Sequence, residues 1–80
     1  MKIQEAIIIR IQELCDEQNI TINKLATISA VHPSTLKNIL YGNSFNIGIV
    51  TITRLCDGLE ISVKDFFTNE IFDSLEQDIQ

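Results

Sequence analysis

The chain has 80 residues (9.1 kDa), room for one small domain, and its 45% hydrophobic and 21% charged content is that of a globular chain rather than a disordered one. Eleven acids against six bases give a formal net charge of −5. One Pro, three Gly and the lack of an internal repeat exclude collagen-like, low-complexity and solenoid architectures.

The first helix is predicted over residues 3–18. Ile3, Ile7, Ile11 and Leu14 form a stripe at helical spacing, widened by Ala6, Ile8 and Cys15. Gln4, Glu5, Gln12, Glu13 and Asp16 supply its wet side, and Asn19 is a left-handed stop. Thr21 caps a second helix over about 22–29, with Leu25, Ala26 and Ile28 facing inward. After the break Ser29-Ala30-Val31, Pro33 opens a third helix through Tyr41, because its φ is pre-set and it has no donor to waste. Leu36, Ile39 and Leu40 are its apolar side, and Gly42 follows as a C′ residue. Residues 43–47 read as a loop. A fourth helix from about 48 to 59 carries Ile52, Leu55, Cys56 and Leu59 as its stripe. Ser62 with Asp65 makes a capping box for a short fifth helix through Phe67. Residues 69–80 form an acidic tail that is either a last amphipathic helix or a frayed end. No segment alternates as a strand would, so the fold class is all-α.

The charge is unevenly placed. Residues 1–50 are balanced, whereas residues 51–80 carry the whole excess of −5. No acid occurs between Glu17 and Asp57, a stretch that holds Lys24, His32, Lys37 and Arg54. A segment without carboxylates approaches an anion without self-inflicted repulsion. Glu5, Glu13, Asp16 and Glu17 make the first residues unlike a signal peptide, and the longest apolar run, residues 6–9, is too short for a membrane span. A cytoplasmic location with reduced cysteines is therefore expected. Cys15 and Cys56 lie on core stripes, where a thiol acts as a small hydrophobe. With no CxxC, no HExxH, no Gly-rich phosphate loop and a single histidine, neither an enzyme, a metal site nor a cofactor is expected.

The unit Leu25-Ala26-x-x-x-Ala30-Val31-x-x-x-x-Leu36-x-x-Ile39 has a specific physical logic. Two short helices that cross steeply need a small residue where they touch, and Ala26 supplies it. The sharp turn needs another, at Ala30. Val31, Leu36 and Ile39 plug the corner. This is helix-turn-helix spacing, and with its flanking helices it resembles the Cro/repressor-type (XRE-like, lambda-repressor-like) family. Further support comes from Arg10-Ile11-x-Glu13-Leu14 leading to Ile20-Thr21, from Gly48-Ile49-Val50-Thr51-Ile52, and from Leu55-Cys56-Asp57-Gly58-Leu59-x-Ile61-Ser62-Val63-x-x-Phe66-Phe67. The resemblance implies a compact five-helix DNA-binding domain over 1–68, with the acidic tail at 69–80.

It also implies that the third helix enters the DNA major groove. Ser34, Lys37, Asn38 and Tyr41 share its outward face. Asn38 suits an adenine edge, Lys37 a phosphate, and Ser34 a base or a phosphate. Thr35 faces either outward or the second helix. His32 precedes the helix, Asn43, Ser44 and Asn46 line the approach, and backbone amides near Gly48 suit a phosphate. The chain also departs from the family pattern. Ala30 and Glu60 stand where Gly is usual, Ile22 where Gln is common, and Ile47 where Pro is usual. The loop Asn43-Ser44-Phe45-Asn46 lacks bases, and Leu40 replaces the acid that commonly pairs with the helix-one arginine, leaving Arg10 for solvent or phosphate. Fewer phosphate contacts lower affinity and flatten its salt dependence. Phe66, Phe67, Ile71, Phe72 and Leu75 cluster late in the chain; core completion is favoured for Phe66, but so small an interior does not hold all five, so some are expected to cover a partner subunit in a possible homodimer through this set. The expected function is a sequence-specific transcriptional regulator binding double-stranded DNA. The alternative is a protein-interaction module or antitoxin-like regulator on the same scaffold.

Overall fold

The computed structural model describes residues 1–43 and 46–77. Their order is α1 (Ile3–Gln18), α2 (Ile22–Ser29), α3 (Pro33–Leu40), α4 (Ile49–Leu59) and α5 (Val63–Phe67), followed by a single 3₁₀ turn, Glu70–Ser74. There is no strand among the described residues. The fold is the all-helical, five-helix one that the periodicity predicts.

Local chemistry sets the helix ends. Asn19 is left-handed (φ 55°), and the N–H of Ile20 donates back to Cys15 O at 3.0 Å. The Thr21 hydroxyl accepts the Lys24 amide at 3.0 Å, and Ser62 accepts that of Asp65 at 2.9 Å. These satisfy first-turn amides that have no partner inside the helix. Gly42 (φ 76°) closes α3, with the Asn43 amide on Asn38 O at 3.0 Å. Ala30 and Glu60 take left-handed geometry without glycine's freedom, at φ 54° and 59°.

Ile7, Ile11 and Leu14 of α1 meet Leu25, Leu36, Ile39, Ile52, Leu55, Leu59 and Phe66 in one core. One inward expectation on α2 is corrected. Ile28 is exposed, and the buried side is Leu25, Ala26 and Ser29. At 3.6 residues per turn, Ile28 stands roughly 100° from the centre of that side. Ser29 is buried because α2 packs mainly on α4, at Gly58. A Cβ on Gly58 would overlap the Ser29 hydroxyl and lie 3.0 Å from Ser29 Cα. The absence of that atom lets the two helices approach. The Ser29 hydroxyl itself is buried and has no hydrogen-bond partner among the described residues.

Arg10 is not left for solvent or phosphate. It is only 8% exposed and turns inward across the fold. Its Nε donates to Phe66 O at 2.7 Å and one Nη to Asp65 O at 2.9 Å. The other Nη meets Glu13 Oε1 at 2.7 Å. Lacking a carboxylate at position 40, the guanidinium takes carbonyls at the end of α5, that of Asp65 shared with the Thr68 amide at 3.2 Å, where a cation is also favoured by the helix dipole. Glu13 Oε1 accepts Asn69 Nδ2 as well, at 2.8 Å, and Asn69 Oδ1 caps the 3₁₀ turn through the Ile71 amide at 3.1 Å.

The late aromatic cluster is largely internal. Phe66 is fully enclosed, as expected for core completion, which removes it from the possible dimer surface. Phe67 and Phe72 pack against the core, with ring centroids 5.0 Å apart, and Phe67 lies edge-on to Phe66, also at 5.0 Å. Ile71 and Leu75 are half-buried. The segment after α5 returns to the start of α1, where the Glu76 amide donates to Met1 O at 2.9 Å and its carboxylate meets the Met1 ammonium at 3.0 Å. Residues 78–80 of the expected tail lie outside the described residues.

Two substitutions check this packing by urea denaturation followed by circular dichroism. Arg10→Met keeps the stem but removes the charged donor from the Phe66 carbonyl and from Glu13, and is expected to cost about 3 kcal/mol. Gly58→Ala is expected to cost about 1–3 kcal/mol by overpacking. Ser29→Ala, which removes an unpaired hydroxyl, should be neutral or stabilising.

Candidate nucleic-acid interface

α3 owes its projection to the corner before it. Ala30 ends α2 in left-handed geometry, Val31 is buried beneath the turn, and Leu36 and Ile39 anchor α3 to the core. What remains outward is polar. His32, Ser34, Thr35, Lys37 and Asn38 are all exposed, and Tyr41 is 74% exposed at the helix's C-terminal cap.

The outward strip divides between two hollows. Thr35 and Asn38 line an open hollow of about 400 Å³ with Asn43, Asn46, Gly48 and Thr51, floored by Ile39 and Ile47. Lys37 and Tyr41 line a second, of about 420 Å³, with Gln12, Thr21, Ile22, Asn23 and Leu40. Thus Asn38 and Asn43 are brought together beside the start of α4, while Lys37 and Tyr41 turn toward α1 and α2. Ser44, also expected at the interface, lies outside the described residues, as does Phe45.

The two helix N-termini facing this region differ. At α3, His32 Nδ1 is 3.2 Å from the Ser34 amide and 2.7 Å from the Ser34 hydroxyl, and His32 O accepts from Thr35 and Leu36 at 3.0 and 3.2 Å. Pro33 has no N–H, so every donor of that first turn is taken. At α4, no side chain among the described residues caps Gly48. An uncapped helix start beside a polar hollow has the geometry for an anion, since its amides and dipole both favour negative charge.

Residues 10–70 match the model of the Cro/C1-type HTH DNA-binding domain. The chain belongs to this family. In crystal form, prophage Lp1 protein 11 is similar to it, with 36% identity and a TM-score of 0.82, covering 94% of this chain and 100% of that one. A comparison with curated proteins found no match. As a Cro/C1-type domain the protein is a DNA-binding regulator, and no helix among the described residues is long and apolar enough to cross a membrane.

This Cro/C1-type domain has two surface features that periodicity alone did not single out. Ile49 and Val50, in the first turn of α4, are 63% and 62% exposed. Val50 falls opposite the stripe of Ile52, Leu55 and Leu59, which is the sequence signal that it points outward. The second feature is electrostatic. Lys24, Lys37 and Arg54 are exposed within the carboxylate-free stretch, and the acids that make the chain negative lie elsewhere.

The thiols are held inside. Burial pushes both Cys15 and Cys56 above the ordinary thiol value of 9.0, and the neighbouring Asp16 and Asp57 carboxylates push further, with Arg10 partly offsetting this at Cys56. Neither is an activated nucleophile. Both are expected to resist iodoacetamide at neutral pH until urea unfolds the chain, as read by mass spectrometry. Because the folded values are raised, their stabilising effect is complete below pH 9.0 and is lost as pH rises through the folded values. The urea midpoint should therefore fall across that alkaline window, and less so in a Cys15→Ala, Cys56→Ala variant.

Proposed function

We propose that this Cro/C1-type domain is a sequence-specific transcriptional regulator that lays α3 in the major groove of double-stranded DNA. The observation that carries the reading is the strip Ser34, Thr35, Lys37 and Asn38. It is exposed, polar and free of carboxylates, and its Thr35 and Asn38 line the hollow at the start of α4, where no side chain among the described residues makes a cap. A helix fits the major groove, and Asn38 has the donor–acceptor pair that matches an adenine edge. Lys37 neutralises a phosphate, Tyr41 offers a hydroxyl at the rim, and Asn43 with the α4 amides approaches the backbone. His32 and Ser44 complete the proposed contact set. A homodimer would set two such helices about one DNA turn apart. For its interface we retain the half-buried Phe67, Ile71, Phe72 and Leu75.

One observation favours the second reading, a protein-interaction module: exposed Ile49 and Val50 form an apolar pair beside a surface with few bases. Fluorescence anisotropy on selected and random duplexes at low salt separates the two. DNA binding predicts that Asn38→Ala relaxes preference at one base position by about 1–3 kcal/mol. Lys37→Ala should weaken all duplexes alike and lower the salt slope by about 1. Absence of binding to any duplex would overturn the DNA reading in favour of the protein module.

A further inference from the structure

The cap on α3 constrains what Ser34 can recognise. His32 Nδ1 lies 2.7 Å from Ser34 Oγ and 3.2 Å from the Ser34 amide nitrogen. An amide can only donate, so a proton on Nδ1 would set N–H against N–H. With the proton on Nε2 instead, the Nδ1 lone pair receives both the amide and the hydroxyl hydrogen. The hydrogen-bond network therefore assigns the Nε2–H form. The consequence falls on the serine. A free serine hydroxyl is both donor and acceptor and reads bases ambiguously. Here its one hydrogen is directed at the histidine, and only lone pairs remain for a partner outside.

We infer that His32 is a positioning residue that turns Ser34 into a dedicated acceptor, so that Ser34 selects adenine or cytosine over guanine or thymine on the contacted strand. In the major groove adenine N6 and cytosine N4 are donors, whereas guanine O6, guanine N7 and thymine O4 are acceptors. An acceptor-only hydroxyl bonds the first pair and is repelled by the second. The inference rests on the proposed placement of α3 in the groove. It assigns Ser34 a base-reading role and removes phosphate from its choices, because a phosphate oxygen also needs a donor.

The test is selection of bound duplexes from a random pool with four proteins: wild type, S34A, H32G and H32N. Glycine is tolerated at a helix N-cap but brings no side-chain acceptor, whereas Asn Oδ1 caps the same amide and accepts the same hydroxyl. One position should favour adenine or cytosine by roughly tenfold in wild type, the value of one net hydrogen bond. That ratio should fall to near unity in S34A and H32G and return in H32N. A purely structural role for His32 would change affinity at all positions and leave the ratio intact. An unchanged ratio in H32G, no Ser34-dependent position, or a guanine or thymine preference there would overturn the inference while the DNA-binding reading stands. Recovery of no duplex with any of the four proteins would overturn both. Circular dichroism melts of each variant confirm that the selected proteins are folded.

Discussion

One guanidinium holds the two ends of this fold together. Arg10 leaves the middle of α1, crosses beneath the surface and takes the terminal carbonyls of α5, while Glu13 on the next turn receives both it and Asn69. α5 has only five residues and α3 eight, lengths at which isolated helices are unstable in water. Such short elements need partners from distant sequence. The Arg10 network supplies one for α5 through charge-assisted bonds, which are stronger than neutral ones. Phe66 is then held fully inside, with Phe67 edge-on to it and Phe72 tilted beside both.

The second constraint is close approach. Gly58 lets α4 settle against Ser29 of α2, and Ala26 keeps the inner side of α2 small. With α2 pressed against α4, the left-handed Ala30 turns the chain sharply and α3 emerges with its polar side free. The same turn brings Thr35, Asn38 and Asn43 near the start of α4, residues that lie up to 16 positions apart between Thr35 and Thr51 in the shared hollow. A surface able to meet DNA is therefore a by-product of how tightly a helix pair elsewhere can pack.

Much of this was legible in the chain itself. Helix boundaries follow from capping chemistry that acts within four residues: Asn19, Thr21, Pro33, Gly42, Ser62. The buried stripes follow from the 3.6-residue period. The exposed strip of α3 is the complement of Leu36 and Ile39. The failures share a cause. Arg10 was expected at the surface because its usual partner is missing, but the carbonyls it takes lie more than 50 residues away. Ile28 and Ser29 exchanged roles because Gly58, far along the chain, decides which of them meets a neighbour.

The sequence by itself determined five helices, their caps, the helix-turn-helix spacing and a central segment without carboxylates, since propensity, periodicity and charge are local properties. Tertiary structure alone decided the inward course of Arg10, the burial of Ser29 and the grouping of Asn38 with the start of α4. Those depend on which backbone and side-chain groups meet across tens of residues, and such meetings are set by close packing of the whole core rather than by any single stretch of chain.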